Sequence, residues 1–211
     1  LNLKIEQKLD EVKKAYEDFI ERHPKHARVR LAYGSFLNDN RDELGAKVQW
    51  EKARELDPGN PAVWNNLANY YGHRSPVKKA FEYYAKAIEL NPNEPVYYQN
   101  FATTVYLFRQ DAMEYYNISE TEVFDKALDL YRKAMKLAPN DFVLATDYAQ
   151  SFYGTKPPRW EEGLKAWQEV LPLASDDIER EGVIIHLARC KMHTGRFDEA
   201  RKDLASITNK M

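Results

Sequence analysis

Several features are scarce in this sequence, and each absence excludes a class of protein. Cys190 is the only cysteine among 211 residues, so no internal disulfide can form and the redox compartment stays open. No stretch approaches the roughly 18 consecutive apolar residues of a membrane span. The formal net charge is only −2, which gives no electrostatic reason to bind nucleic acid, because such binding requires a basic face.

The beginning of the chain leaves the cellular compartment open. The sequence starts at Leu1 instead of methionine and shows no signal peptide. We therefore interpret it as a fragment or a processed product, from which a targeting segment could have been removed. We expect a soluble protein that is either cytoplasmic or exported after removal of such a segment.

Motifs of catalysis are also absent. The sequence has no glycine-rich phosphate loop, no nucleophile elbow and no H-E-x-x-H motif, so we predict no enzyme and no cofactor. His186, Cys190 and His193 share one face of a predicted helix and could hold zinc if a fourth ligand joined them. We favour the alternative, in which Cys190 is a small packing residue and both histidines are partly exposed.

A repeated proline is the strongest signal in the sequence. Pro24, Pro58 and Pro92 follow one another at intervals of 34 residues, and Pro139 comes 47 residues later. A fixed period in this range is typical of stacked-repeat proteins. Large and small residues recur in phase between the prolines. In the interval before Pro92 they are Trp64, Leu67, Ala68, Tyr71, Ala80, Tyr84 and Ala87.

This pattern resembles the tetratricopeptide repeat, whose consensus is W-x₂-L-G-x₂-Y, then A-x₃-F, then a late proline. The large residues fall on one helical face, and the small residues let two helices approach closely. Proline ends the second helix because it has no N–H and disfavours helical geometry in the residue before it. The resemblance implies an all-α fold of about eleven helices in antiparallel pairs, stacked as a right-handed superhelical solenoid.

We predict one tetratricopeptide-like solenoid over residues 1–211, with a core along the seam between its helices. Its units are a half repeat at 3–24 and repeats at 27–60, 61–94, 95–140, 142–176 and 177–208. The predicted core residues are Tyr16, Phe19, Tyr33, Leu37, Trp50, Trp64, Leu67, Tyr71, Tyr84, Phe101, Tyr131, Tyr148, Phe152, Trp167 and Leu187.

The repeat at 95–140 contains an insertion around 106–120 that is rich in aromatic residues. In one interpretation it lengthens the first helix of the repeat and adds a longer turn, packed by its own aromatics. In the other it folds over one end of a groove and narrows it. In both cases Ser119 and Glu122 predict a capping box at the start of the next helix.

Polar residues recur at one place in the first helices of three successive repeats. In proteins of the resembled family this place lines a concave surface, where amide side chains can donate and accept hydrogen bonds with an extended peptide. Tyrosines beside them would add apolar walls. The predicted groove residues are Asn65, Asn66, Asn69, Gln99, Asn100, Thr103, Tyr106, Thr146, Gln150 and Tyr153. The alternative is a solvated polar face, or hydrogen bonds between repeats.

The predicted function is a non-catalytic scaffold that binds a protein or peptide partner in this groove. Leu31, Ser35 and Asn65 stand among the places where one subtype carries basic residues that clamp a C-terminal carboxylate, so we do not expect that clamp. A second hypothesis is self-assembly into a homo-oligomer, because the half repeat before Pro24 leaves an apolar seam that another copy could cover. A metal site in the last repeat is the least favoured.

Overall fold

The computed structural model describes residues 2–74 and 77–208, and all regular structure within these ranges is helical. Two short 3₁₀ turns occur at Phe152–Gly154 and Leu171–Leu173. The α-helices are α1 (Asn2–Arg22), α2 (Ala27–Asp39), α3 (Glu43–Leu56), α4 (Pro61–Gly72), α5 (Lys78–Leu90), α6 (Pro95–Leu107), α7 (Arg109–Tyr116), α8 (Glu120–Leu137), α9 (Phe142–Ser151), α10 (Trp160–Val170), α11 (Asp177–His193) and α12 (Phe197–Ala205).

Prolines and capping residues set the helix boundaries. Pro61 and Pro95 occupy the first turns of α4 and α6, where a missing N–H removes no helical hydrogen bond. The Asp42 side chain accepts a backbone N–H from the first turn of α3. The same helix ends at Leu56, two residues before Pro58, as the repeated proline predicts.

The chain divides into two compact units, the first ending at Pro92 and the second beginning at Asn93. In the first unit α2 packs on α3 and α4 packs on α5, within the predicted repeats 27–60 and 61–94. In the second unit α6 packs on α8, α9 on α10, and α11 on α12. The single superhelical solenoid predicted over 1–211 stays a prediction.

The contact between α2 and α3 explains why small residues recur in the repeat. Gly34 of α2 faces Trp50 of α3, and a Cβ built on Gly34 would lie 2.5 Å from the indole ring. Ala46 and Ala53 of α3 are fully buried beside that ring. The absence of a side chain at Gly34 therefore lets the tryptophan fill the space between two closely packed helices.

The predicted core is largely confirmed, since most of its side chains are buried. Trp64 is an exception because its indole N–H donates to the Pro58 carbonyl at 2.8 Å near the surface. Tyr16 stacks on the buried Tyr33 with ring centroids 4.9 Å apart, but its own ring keeps partial contact with solvent. The predicted core residues that are partly exposed are Tyr16, Phe19, Trp64 and Tyr148.

The insertion forms a separate helix, so the prediction of a lengthened first helix is wrong. α6 ends at Leu107, and α7 begins two residues later. Asn117 follows α7 with a left-handed backbone at φ 52°, a conformation that ends helices and that asparagine tolerates. Ser119 and Glu122 then form the predicted capping box of α8. Because of α7, the described ranges hold twelve α-helices instead of about eleven.

Candidate peptide-binding cleft

A cleft of about 310 Å³ opens on the second unit. Four of the predicted groove residues line it, namely Thr103, Tyr106, Gln150 and Tyr153. The other lining residues, absent from the predicted set, are Leu107, Tyr131, Asp147 and Ser151. The eight lining residues together come from α6, α8, α9 and the 3₁₀ turn at Phe152–Gly154, so α7 contributes none of them. The hypothesis that the insertion narrows a groove stays untested.

Helical spacing brings these side chains to one place. Thr103, Tyr106 and Leu107 lie three and four residues apart on α6. Asp147 and Ser151 have the same relation on α9. Residues at this spacing share one face of a helix, so α6 and α9 each present one face to the cleft.

The inner part of the cleft is built from hydroxyl groups. Thr103 Oγ1 and the Tyr131 hydroxyl share a hydrogen bond of 2.8 Å, in which either group is able to donate. Burial raises the pKa of Tyr131 to about 12, and the charge of Asp147 acts in the same direction. The Tyr131 hydroxyl is therefore neutral at physiological pH and keeps its proton for hydrogen bonding. Ser151 Oγ donates to the Asp147 carbonyl at 2.8 Å, which holds it against its own helix.

Asp147 brings a carboxylate to the cleft. Gln99 Nε2 donates to its Oδ2 at 2.8 Å, which fixes the carboxylate between α6 and α9. Among the described residues that line the cleft, none is a lysine or an arginine. The negative charge of Asp147 is therefore available to a donor on a bound segment.

Tyr106 forms one wall. Its ring packs on Phe124 of α8 with centroids 5.7 Å apart, and burial raises the pKa of its hydroxyl. A Cβ built on Gly154 would overlap this hydroxyl. The glycine in the 3₁₀ turn is thus required for the position of the Tyr106 ring.

Tyr153 forms another part of the lining, and its ring is held by aromatic neighbours. Its ring lies 5.2 Å from Trp160 and 6.5 Å from Trp167, and the Arg189 guanidinium lies 4.6 Å from its centroid. Its hydroxyl is 3.2 Å from Nδ1 of His186. Burial raises the pKa of Tyr153, so its hydroxyl also stays neutral.

The candidate zinc ligands of α11 take part in this packing. His186 stacks on Trp167 at 4.1 Å and His193 stacks on Trp160 at 3.8 Å, both with nearly parallel rings. Cys190 is fully buried, which confirms its interpretation as a packing residue, and burial raises the pKa of its thiol. Within the described residues, no group of three or more His, Cys, Asp or Glu side chains could hold a metal ion.

The predicted groove residues of the first unit have other roles. Asn65 is only 7% exposed, so little of its side chain is accessible to a ligand, and its role as a groove contact stays a prediction. Asn69 Oδ1 accepts a hydrogen bond of 2.7 Å from the Tyr84 hydroxyl, which ties α4 to α5. Asn66 Nδ2 donates to Ser35 Oγ at 3.4 Å, which links α4 to α2. These contacts correspond to the alternative of hydrogen bonds within and between repeats.

The remaining predicted residues of the second unit lie outside the lining. Gln99 acts through its hydrogen bond to Asp147. Thr146 turns its hydroxyl to the Val143 carbonyl of its own helix at 2.7 Å. Asn100 is half-buried on α6, where its carbonyl accepts from Thr104 Oγ1 at 2.9 Å.

Sequence reasoning missed Tyr131 of the cleft because it followed only the first helices of the repeats. Tyr131 lies on α8, a second helix, and its phase predicts a core position that its ring does occupy. Asp147 stands at the repeated polar place between two predicted groove residues. This position in the repeat was the signal that could have identified Asp147 as a lining residue.

The paired helices place this fold among proteins built from repeated helical hairpins. Comparisons with known proteins identify the kind of repeat. The family model described as tetratricopeptide repeat matches residues 61–94, the same range as the predicted repeat. Residues 61–94 thus match a tetratricopeptide repeat, and the fold of the described chain is all-α and tetratricopeptide-like.

Solved structures with this fold cover most of the chain at low sequence identity. YrrB, described as a TPR protein with an unusual peptide-binding site, aligns with a TM-score of 0.68 and 16% identity over 92% of this chain and 90% of its own. The pilF protein of Pseudomonas aeruginosa aligns with a TM-score of 0.70 and 16% identity over 98% and 84% of the two chains. At these identities the likeness concerns the fold alone.

A curated relative shares more sequence over a shorter range. An uncharacterized protein of Haemophilus influenzae is 36% identical over 77 residues, which is 36% of this chain. The match spans 42% of that protein's length. Among the described residues, no helix is both long and apolar enough to span a lipid bilayer.

Proposed function

We propose that this protein is a non-catalytic scaffold that binds an extended segment of a partner protein in the cleft of the second unit. The observation that carries the proposal is the convergence of four predicted groove residues on that cleft. Their residue types and their places in the repeat predict contact with a peptide independently of this geometry. Ligand sites are typically concave surfaces on which a few polar groups converge.

The chemistry of the lining suits a peptide backbone. An extended segment exposes both N–H and C=O groups, and the exposed Gln150 amide can pair with either. Asp147 offers an acceptor for a backbone N–H or for a basic side chain of the partner. Tyr106 and Tyr153 offer flat apolar surfaces with polar tips, which is a combination enriched at protein interfaces.

The likeness to YrrB supports peptide binding as an activity that this fold can host. It does not specify residues, because function depends on the site and not on the fold. The contact residues proposed for this chain therefore rest on the geometry of its own cleft.

A peptide library tests the proposal. Peptides selected from a random displayed library on the parent protein would be titrated by calorimetry against Gln150→Ala and, as a control, Gln168→Ala. Gln168 is also an exposed glutamine, but it lies on α10 outside the lining. We expect about a tenfold weaker affinity for Gln150→Ala only, as for a contact at an interface. Equal affinities of the two variants, or no selected peptide, would count against the cleft.

Self-association is the second candidate, and exposed apolar side chains on α1 favour it. Ile5 and Val12 keep 52% and 40% of their surface in contact with solvent. Burial of such side chains would stabilise an interface between copies. Sedimentation equilibrium of the parent and of Val12→Glu tests this candidate. It predicts a concentration-dependent dimer that the substitution dissociates, whereas a monomer at all concentrations excludes it.

A further inference from the structure

A second groove lies in the first unit, between α1 and α3, with α2 at its base. Its volume is about 490 Å³, which is larger than that of the cleft in the second unit. No residue of the proposed peptide cleft belongs to it. Any ligand of this groove is therefore recognised by a different set of side chains.

The base and one wall of the groove are apolar. Tyr33 and Leu37 of α2 form the base, and Ile20 of α1 lies beside them. Val48 of α3 lines the opposite wall and is 56% exposed, while Leu44, one turn earlier on α3, is 70% exposed. Adjacent exposed apolar side chains along a groove are typical of a surface that another molecule covers.

The charged residues of the groove are predominantly acidic. Glu17, Glu21 and Asp42 line it together with a single cation, Lys13. The Tyr33 hydroxyl donates to Glu17 Oε1 at 2.9 Å inside the groove. Burial raises the pKa of Tyr33 to about 12, and the charges of Glu17 and Asp42 add to this shift. The groove therefore combines an apolar base with a negative potential.

The wall formed by α1 is long enough for about two turns of a docked helix. Lys13, Glu17, Ile20 and Glu21 occupy two successive turns of α1, a length of about 12 Å. A docked helix presents apolar anchors three and four residues apart over the same distance.

We propose that this groove docks an amphipathic helix of a partner protein, with lysine or arginine residues beside its apolar face. The apolar side chains of that helix pack on Ile20 and Val48. Its cationic side chains reach Glu17 and Glu21 along the wall formed by α1. The charge of the groove selects against helices that carry acidic residues at the same places.

Designed peptides test this proposal on the intact protein. The probe is a synthetic amphipathic helix of leucine and lysine, labelled for fluorescence anisotropy and titrated at physiological ionic strength. The two comparison peptides are a scrambled sequence of the same composition and a leucine–glutamate helix. We expect the leucine–lysine helix to bind at least about tenfold more tightly than either. Equal binding of the scrambled peptide would overturn the proposal.

Matched variants locate the binding. Glu17→Gln with Glu21→Gln removes two carboxylates from the groove, and glutamine keeps an acceptor for the Tyr33 hydroxyl. The control is Glu6→Gln with Glu11→Gln, an equal loss of charge at exposed positions of the same helix. We expect about a tenfold loss of affinity in the groove variant and little change in the control.

A second pair of variants tests the apolar contact. Val48→Ser is expected to weaken binding several-fold, whereas Val143→Ser, at an equally exposed valine of α9, is not. Circular dichroism and thermal melting verify that all variants are folded. Binding that survives both groove variants, or that falls equally in the controls, overturns the proposal. So does a dimer, seen by sedimentation, that Val48→Ser dissociates, because a second copy would then occupy the groove.

Discussion

The two units use the same polar positions of the repeat in different ways. In the first unit Asn65 is buried and Asn69 is bonded to Tyr84 of the paired helix. In the second unit Thr103 is likewise bonded to Tyr131 of the paired helix, but Thr103 and Gln150 also line a cleft that is open to solvent. The repeated polar positions therefore contribute to packing in both units, and in the second unit they also line the cleft.

The difference follows from where the sequence departs from its period. The first unit keeps the 34-residue interval, and its helix pairs close on one another through Gly34 and the alanines. The second unit carries the insertion that forms α7, and the glycine turn at Gly154 that accommodates Tyr106. Each unit contains a groove, and of these two grooves only the one in the second unit is lined by residues at the repeated polar positions.

The largest expected effect is a loss of stability that is confined to the unit carrying the substitution. Trp50→Ala should lower the free energy of unfolding by about 3–5 kcal/mol, because the ring is 4% exposed and a cavity would remain. Trp167→Ala is the matched change in the second unit, where the ring is 1% exposed. Urea denaturation measures the loss, and hydrogen exchange locates it in the unit that carries the substitution. A loss below about 0.5 kcal/mol would contradict the assigned repeat phase.

Substitution of Gly154 should displace one wall of the cleft. The new Cβ of Gly154→Ala overlaps the Tyr106 hydroxyl, so the wall must move, at a cost of about 1–3 kcal/mol. Affinity for cleft-selected peptides should fall about tenfold. Gly182→Ala is the control, since nothing lies within 4 Å of its added Cβ on α11. That variant should keep its affinity and gain about 0.5–1 kcal/mol of stability.

A pair of amide substitutions compares the two roles directly. Asn69→Ala removes the hydrogen bond that the Tyr84 hydroxyl donates to Oδ1, so the free energy of unfolding should fall by about 0.5–1.5 kcal/mol. Peptide affinity should not change. Gln150→Ala should show the opposite result, with stability changed by less than about 0.5 kcal/mol and affinity reduced. Chemical denaturation and calorimetry on both variants measure the contrast, and identical effects would remove the distinction between the units.

The smallest expected effect is a pH dependence from the second unit. Burial lowers the pKa of His186, so the unfolded chain takes up a proton at a higher pH than the folded one. Stability from this residue is thus present above the unfolded pKa of about 6.5 and is lost as the pH falls below it. His186→Gln should flatten this part of the stability–pH curve. An unchanged slope in urea denaturation between pH 7 and 5 would contradict this account.

Local signals predicted much of the fold because they act over a few residues. The helix end before Pro58 and the capping pair Ser119–Glu122 depend on backbone geometry and on side chains within a few residues. The separate helix α7 was not predicted, since a left-handed Asn117 and its flanking turns give a weak signal.

The candidate site was predicted in part, because helical phase fixes a face but not the distance to the next helix. Asn65 and Asn66 are adjacent in sequence and point about 100° apart around α4. Asn65 is buried against its neighbours, whereas Asn66 is half-buried. Asp147 stands at the repeated polar place, but its contact with Gln99, 48 residues away in sequence, depends on how closely α6 and α9 approach. Such long-range proximity leaves no trace in a local pattern.

By itself, the sequence determined that this chain forms helical hairpins in series, since the period of its prolines and the alternation of large and small residues permit little else. Only the tertiary structure decided which polar residues are bonded internally and which line an open surface. The physical reason is that exposure depends on how closely neighbouring helices approach, and that distance is set by side chains far apart in the chain.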